Sequence, residues 1–289
     1  MWQHGPSLLF LAIAVYCAQQ LLSDTAVEGP RLKWTAVCLG AAVAASFTCR
    51  PTNAVAVLGF TVFVAFRLRG QLKRFLIGAF AIAVPWMMVN SATYGAVLPH
   101  YYRAGKVGLH DEFGLALATN LVSPARGLLL FSPIVVLGVL GILQRNRADV
   151  RDGLLDLDRL LIALCLGYLL ASSGPSENWW AGHSFGPRFM SDTLVFFATA
   201  ATPTVALLMR QRRSAAAIAA TVLLAWSVLV NFQGGAMRST LCWNGEPDID
   251  SHTSRLWDFG SSQMLSGVQA VFDDGIVDAI FTRCDTPTD

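Results

Sequence analysis

Charged residues are scarce in this chain. They account for 14% of its 289 residues, whereas an ordinary soluble domain carries about 25%. Hydrophobic residues account for 54%, and the mean hydropathy is +0.50. This scarcity of charge excludes an ordinary soluble domain and indicates an integral membrane protein.

Several other signatures are absent from the sequence. The formal net charge is only +2 and there is no basic arm, so nothing indicates a nucleic-acid partner. No CxxC pair or Cys/His spacing indicates a zinc site. The start MWQHGPSLLF has neither a charged leading region nor a small-residue cleavage site, so it is not typical of a signal peptide.

What the sequence does contain is long apolar runs. Such runs of roughly 17–25 residues predict spanning helices, because backbone polar groups in hydrocarbon must be satisfied within the segment. The pattern predicts an all-α integral membrane fold with about eight transmembrane helices, at residues 6–22, 33–49, 52–68, 75–93, 126–144, 159–174, 190–209 and 214–232. Residues 1–232 then form a polytopic transmembrane domain with an outer-face loop at about 94–125, and residues 233–289 form a polar C-terminal tail.

The distribution of cations orients these helices. With alternating spans, thirteen of the 21 Lys and Arg residues share one face, and the positive-inside rule places that face in the cytoplasm. The two short loops of the other face hold only Arg50 and Arg188. The tail and Met1 are therefore predicted outside. For Met1 two explanations stay open, a short N-out start or earlier spans that precede this sequence.

Six cysteines are spread thinly along the chain. Cys17, Cys38 and Cys165 fall within predicted spans, where a small buried hydrophobe is the ordinary role. Cys242 and Cys284 lie in the predicted outer tail, where an oxidising compartment can pair thiols. The sequence leaves two alternatives, a Cys242–Cys284 disulfide or two free thiols.

The stretch NWWAGHSFGPRFMSD, residues 178–192, lies between the sixth and seventh predicted spans, and we call it the gap segment. Trp179 and Trp180 alone are typical of an interfacial aromatic belt. The two glycines and the proline of the segment predict a structured turn, since glycine supplies positive φ and proline fixes its own. The turn would hold His183 and Arg188 near the head of the next span.

Arg188 has more than one interpretation. An arginine at this position can donate paired hydrogen bonds to phosphate oxygens. The alternatives are a side chain that snorkels to the interface and a salt bridge to Asp192, four residues further on. The residues alone leave these alternatives open.

Other candidate groups lie on the same predicted face. Arg50 lies in the CRPTN turn between two spans, where a buried guanidinium needs an anionic or carbonyl partner. Arg126 begins the fifth span, and Tyr101 belongs to the mixed-charge loop 99–114, for which a solvated loop is the commoner explanation. The pair Asp248 and Asp250 resembles a divalent-metal motif, but that motif belongs to Rossmann-like domains with alternating strands and helices, which are not predicted here. No metal site is predicted.

Motifs follow one another along the chain in a fixed order. They are WQHG, CRPTN between a helix pair, SPARGLLLFSP, WWAGHSFGPRFMSD, and a tail with WNGEPDID and SRLWDFG. Together they resemble bacterial membrane glycosyltransferases of the C superfamily. More narrowly, they are similar to the protein O-mannosyltransferase and aminoarabinose transferase-like group. The similarity runs along nearly the whole chain, with most weight on SFGPR and RLWDFG.

This resemblance implies sugar transfer from a polyprenyl-phosphate donor to a lipid, glycan or protein acceptor on the outer face, without a cofactor. Departure of a lipid phosphate needs its charge stabilised, and a carboxylate must take the proton of the acceptor hydroxyl. The expected phosphate ligands are Arg188, with His183, Arg126 and Arg50 as helpers. The side chains expected to stack on sugar or isoprenoid faces are Trp179, Trp180 and Tyr101.

The sequence departs from the family at the catalytic carboxylate. Members carry it in a first outer loop, ahead of the part matched here, and no such span and loop precede Trp2. The outer carboxylates available are Glu177, Asp111 and Glu112, and none matches the family's position, so the catalytic residue stays unassigned. We therefore expect this chain to be the carboxy-terminal part of such an enzyme. Alone it would be inactive, or a partner would supply the missing N-terminal segment.

Two other classes of protein compete with this interpretation. A lipid or small-molecule transporter would place ionisable groups near the bilayer centre, whereas the interiors of the predicted spans are almost free of charge. A non-catalytic membrane scaffold would explain the missing carboxylate but gives the SFGPR turn no role.

Overall fold

A computed structural model describes residues 4–23, 30–98, 108–147, 152–174, 178–211, 214–281 and 284. These residues form α-helices and short 3-10 helices, and none of them lies in a strand. The predicted all-α class is therefore confirmed. The chain divides into two compact units, and each is described in turn.

The first unit comprises residues 1–106, 141–171 and 192–200. Its helices are α1 (His4–Ser23), α2 (Pro30–Cys49), α3 (Ala54–Arg67), α4 (Leu72–Tyr94), most of α8 (Asp152–Ser173) and α9 (Leu194–Ala200). The apolar side chains of these helices form the core of this unit, with Leu11, Leu39, Phe60 and Leu164 almost fully buried.

Helices α2 and α4 pack with their backbones almost in contact. A Cβ atom added at Gly40 would lie 1.8 Å from the carbonyl oxygen of Phe75, and one added at Gly78 would lie 1.9 Å from that of Val37. Small residues at a helix crossing are typical of membrane proteins, where van der Waals packing replaces the hydrophobic effect as a driving force. These two glycines therefore set the spacing of the helix pair.

The CRPTN motif forms the tight hairpin that the sequence predicts. Helix α2 ends at Cys49, a 3-10 turn covers Pro51–Asn53, and α3 begins at Ala54. Proline suits the first position of a helical turn because the amide hydrogen it lacks would have no partner there. The amide of Asn53 donates to the carbonyl of Arg50 at 2.9 Å, which holds Arg50 at the corner of the hairpin.

The second unit comprises residues 107–140, 172–191 and 201–289. Its helices are α5 (Phe113–Val122), α6 (Leu128–Phe131), the start of α7 (Val136–Arg147), α10 (Thr202–Arg210), α11 (Ala215–Ala236), α12 (Ser239–Cys242), α13 (Ser266–Asp273) and α14 (Ile276–Phe281).

The C-terminal tail falls within the second compact unit. It belongs to the second unit together with the gap segment up to residue 191 and the region before α6, because polar and aromatic side chains of these segments contact one another. The predicted outer loop also contains a helix, α5, whose ten residues FGLALATNLV are mostly apolar. The domain boundary at 232/233 stays a prediction.

Four helical segments are long and apolar enough to cross a membrane. They are His4–Ser23, Leu32–Cys49, Arg69–Tyr94 and Ala215–Ala236. A fifth candidate is the pair Arg188–Ala200 and Thr202–Arg210, if the two count as one broken span. By length and composition, the described residues thus include several helices suited to a membrane, while the full count of eight stays a prediction.

Two of the predicted spans are interrupted at a proline. Helix α6 ends at Phe131, and Pro133 begins a new 3-10 turn before α7. Pro203 lies in the first turn of α10, just after the break at Ala201. Proline has no N–H to donate and its ring clashes with the preceding turn, so an apolar run that contains it need not form one continuous helix.

Candidate functional site

The gap segment is a structured turn, as its composition predicts. Gly182 and Gly186 adopt positive φ values of 56° and 61°, and Asn178 and Ala181 also have positive φ, at 59° and 66°. Glycine adopts a positive φ without steric cost, whereas alanine adopts it at a steric cost. The surrounding contacts must therefore hold Ala181 in place.

Tryptophans of the gap segment and the tail form one buried group, which we call the aromatic cluster. Trp179 and Trp243 pack there with Ile249 and Leu256, and Trp180 meets Trp179 edge to face with ring centroids 5.5 Å apart. Trp179 is only 1% exposed, so its ring contacts protein and has no open face for a sugar. Trp180 is partly buried, and a stacking role stays a prediction for it.

Arg126 lies at the centre of a buried set of hydrogen bonds, which we call the Arg126 network. All five of its N–H groups donate within the protein. The acceptors are the carbonyl oxygens of Ala125, Trp180 and Gly182 and the side-chain oxygens of Asn244 and Gln263. Phosphate binding by Arg126 would require breaking this network, and its geometry is that of a structural support.

Buried side chains hydrogen-bond to and pack against the SFGPR stretch. Gln263 accepts a hydrogen bond from the amide of Gly186 at 3.2 Å and donates to the carbonyl of Ser184 at 2.8 Å. The ring of Phe185 packs edge to face on Phe131 with centroids 5.2 Å apart. Gln263 itself accepts from Arg126, so the loop and the Arg126 network form one connected structure.

Arg188 stands at the exposed end of this loop. It begins the 3-10 helix Arg188–Thr193, its amide donates to the carbonyl of Gly186 at 2.8 Å, and its side chain is exposed. Asp192, the salt-bridge partner considered for Arg188, is buried and accepts hydrogen bonds from Arg50 and Ser7.

His183 contacts two carboxylates of the tail. Its Nε2 lies 2.8 Å from Oδ1 of Asp248 and 3.5 Å from Oδ2 of Asp250. Loss of hydration acts to raise the pKa of Asp248, but hydrogen bonds from His183, Ser251 and the backbone of Asp250 outweigh it, so that the pKa is lowered. All three side chains of this group are about half exposed, so a ligand can reach them from solvent.

Arg255 holds the tail loop that carries these two carboxylates. Its Nη1 donates to the carbonyl oxygens of Trp243, at 2.7 Å, and of Pro247. Its guanidinium also lies over the Trp243 ring, 4.2 Å from the centroid, which is well within cation–π range. The RLWDFG motif, to which Arg255 belongs, thereby shapes the loop that faces the gap segment.

Arg50 has its own partners within the first unit. Its Nη1 donates to Oδ2 of Asp192 at 2.5 Å and lies 3.0 Å from Nδ1 of His4. Asp192 also accepts a hydrogen bond from Ser7 at 3.0 Å. The anionic or carbonyl partner expected for a buried guanidinium is therefore Asp192, whose charge already balances that of Arg50.

The remaining predicted groups are Tyr101, Glu177, Glu112 and the two cysteines of the tail. Tyr101 and Glu177 lie outside the described residues. Glu112 accepts a hydrogen bond from Nε1 of Trp179 at 2.8 Å. Cys242 and Cys284 form a disulfide, the first of the two alternatives that the sequence leaves open.

Some of the residues that build this site carry no signal in the sequence. Asn244 and Gln263 reach Arg126 from 118 and 137 positions along the chain. For Asp248 and Asp250 the signal in the sequence is the apolar residue between them, Ile249. The structure buries Ile249 in the aromatic cluster. A buried residue between two polar ones in an extended or turning chain directs both polar side chains away from the core.

Comparisons with known protein families, with curated proteins and with solved structures find no match. The function is therefore inferred from the geometry of this chain and from the resemblance of its motifs.

Proposed function

We propose that this protein is a multi-pass membrane protein of the glycosyltransferase C type, which uses a polyprenyl-phosphate sugar as donor on the outer face of the cell membrane. The proposal includes the eight predicted crossings, with the C-terminal tail outside, and requires no cofactor beyond the lipid-linked donor. Its support from the sequence is the ordered set of motifs from WQHG to RLWDFG. The apolar helices α1, α2, α4 and α11 would provide the membrane body that the lipid tail of such a donor needs.

The observation that carries the proposal is the set of buried hydrogen bonds that fixes the loop leading to Arg188. Gln263 bonds the loop that precedes Arg188, and Arg126 bonds Gln263 in turn. A guanidinium on a preorganised loop loses less conformational freedom on binding than one on a mobile loop. The planar fork of a guanidinium suits the oxygens of a phosphate. The Arg188 side chain is exposed at the end of this fixed loop.

The other predicted phosphate and sugar groups receive different roles in this proposal. Trp180 offers a partly exposed ring against which a sugar can stack, and His183 lies on the same turn. Arg126 acts through the loop that it supports, without touching the donor. Arg50 holds the CRPTN corner through Asp192.

The test is a binding measurement with a short-chain polyprenyl phosphate on the purified full chain in detergent. We expect Arg188→Ala to weaken binding by about 1.5–3 kcal/mol, the contribution of a hydrogen bond to a charged group. Arg188→Lys should not restore the affinity, because an ammonium lacks the planar fork. The matched control is Arg238→Ala, since Arg238 is another exposed arginine of the second unit. Equal affinities for wild type and Arg188→Ala, with both folded, would reduce Arg188 to an interfacial anchor.

A further inference from the structure

The side chains of His183, Asp248 and Asp250 converge on one point at the surface of the second unit. One ligand atom from each lies within 4.8 Å of the ligand atoms of the other two. We propose that these three residues bind one divalent transition-metal cation, such as Zn²⁺ or Mn²⁺. The proposal does not depend on the proposed transferase function, because metal binding by the purified chain is measured without donor or acceptor.

The distances between the ligand atoms suit a metal site. Zinc binds imidazole nitrogen and carboxylate oxygen at about 2.0–2.2 Å. Ligands at that distance, separated by octahedral to tetrahedral angles, lie about 3.0–3.5 Å from one another. Nε2 of His183 lies 2.8 Å from Oδ1 of Asp248 and 3.5 Å from Oδ2 of Asp250, so only small shifts are needed to admit a cation.

Neighbouring groups orient both carboxylates toward this point. Nε1 of Trp180 donates to Oδ1 of Asp250 at 2.7 Å, which leaves Oδ2 toward His183. The hydroxyl of Ser251 donates to Oδ2 of Asp248 at 3.1 Å, which leaves Oδ1 toward His183. In metal sites, hydrogen bonds of this kind to the second oxygen fix the ligand and tune its basicity.

The backbone on both sides of the site is also anchored. Ile249, between the two aspartates, is fully buried, and its amide donates to the carbonyl of Asn244 at 2.9 Å. Asn244 in turn accepts from Arg126, which also bonds the carbonyls of Trp180 and Gly182 beside His183. The Arg126 network therefore connects the two segments that supply the ligands.

The chemistry of the three ligands points to the class of cation. Two carboxylates and a neutral imidazole carry a charge that matches a divalent ion. Imidazole favours transition metals, while Mg²⁺ and Ca²⁺ prefer oxygen ligands alone. Three protein ligands at a solvent-exposed position leave further coordination sites open to water or an anionic group.

The experiment is isothermal titration calorimetry of the full chain, purified without a polyhistidine tag, with ZnCl₂ and separately with MnCl₂. We expect one ion bound per chain. Asp248→Asn and Asp250→Asn should each weaken binding at least tenfold, because a neutral amide oxygen replaces a carboxylate. Asp274→Asn, which changes another exposed carboxylate of the tail, is the matched control and should bind as wild type does.

A second variant separates a metal site from a simple ion pair. His183→Asp keeps three ligands but removes the imidazole, so it should retain one Mn²⁺ per chain and bind Zn²⁺ more weakly than wild type does. Circular dichroism and an intact Cys242–Cys284 disulfide establish that each variant is folded. Wild-type protein that binds neither metal stoichiometrically, or binds no more tightly than folded Asp250→Asn, overturns the proposal.

Discussion

At the scale of single residues, Arg50 and Arg126 are both buried, and their charges are stabilised in different ways. Arg50 contacts the carboxylate of Asp192 directly. Arg126, in contrast, donates its hydrogen bonds to neutral carbonyl and amide oxygens. Five well-placed dipoles thus take the place of water around its guanidinium, which is the condition for burying a charge at moderate cost.

Replacing Arg126 should therefore destabilise the second unit. Arg126→Met removes five donors from this buried set of oxygens, of which those of Gln263, Asn244 and Gly182 keep a second donor. An unsatisfied buried polar group costs about 1–3 kcal/mol, so we expect the free energy of unfolding to fall by about 2–4 kcal/mol once relaxation is allowed for. Thermal unfolding of the purified protein in detergent measures this. The control is Arg188→Met, which changes an exposed arginine and should leave the melting temperature unchanged; a melting temperature of Arg126→Met equal to that of wild type would contradict a supporting role.

The sequence could not separate Arg126 from Arg188 as phosphate ligands. Both follow a turn that contains proline, and the hydropathy pattern predicts both at the head of a span. Arg126 differs from Arg188 because it donates to two acceptors in the tail, Asn244 and Gln263. No local pattern in the sequence assigns these acceptors to either arginine. Spacing along the chain identifies an arginine near an interface, but whether its side chain is buried or exposed depends on contacts between distant segments.

At the scale of the helices, the close pair α2 and α4 depends on two glycines. A methyl group at either Gly40 or Gly78 would overlap a backbone carbonyl of the other helix. Backbone atoms cannot rotate away as a side chain can, so the helices would have to separate. Their separation would also loosen the packing around Phe75, which is almost fully buried.

We therefore expect Gly78→Ala to lower the stability of the first unit by about 1–3 kcal/mol, the usual cost of overpacking a core. Unfolding by SDS in mixed micelles, followed by circular dichroism, gives the measurement. Gly114→Ala in α5 is the matched control, because a Cβ atom at Gly114 meets nothing within 4 Å. Identical unfolding midpoints for Gly78→Ala and Gly114→Ala would show that α2 and α4 separate without cost.

The sequence predicts the uninterrupted helices well and the interrupted ones poorly. The predicted spans 6–22, 33–49, 75–93 and 214–232 each lie within, or within a residue of, one long helix. The span 126–144 includes a turn, α6, the break before Pro133 and most of α7. Hydropathy averages over a window and therefore does not distinguish Pro133, where the helix breaks, from Pro85, which lies inside the continuous helix α4.

At the scale of the whole molecule, the distribution of cations predicts which parts of the chain share a side of the membrane. Thirteen Lys and Arg residues fit one alternation, and the tail and the gap segment fall together on the opposite face. The contacts of the tail with the gap segment, through Asp248, Asp250 and the aromatic cluster, agree with a common side for these two segments.

Cysteine labelling tests this orientation. In a variant whose free cysteines are replaced, Ser251→Cys should react with a membrane-impermeant maleimide added to intact cells. Ser214→Cys, next to the Arg210–Arg213 cluster, should react only after the membrane is permeabilised, because the positive-inside rule predicts that the cluster lies in the cytoplasm. Labelling of Ser251→Cys only from the cytoplasmic side would overturn the outer-face donor site together with the orientation.

The Arg126 network also fixes an order of events during synthesis. The ribosome makes Arg126 before the gap segment, and the gap segment before Asn244 and Gln263. Until the tail emerges, two of the five acceptors of the guanidinium do not yet exist, and a charge without its partners stays hydrated. The buried network of Arg126 is therefore complete only after residue 263 has been translated, so the second unit closes after synthesis of the segment that carries Asn244 and Gln263.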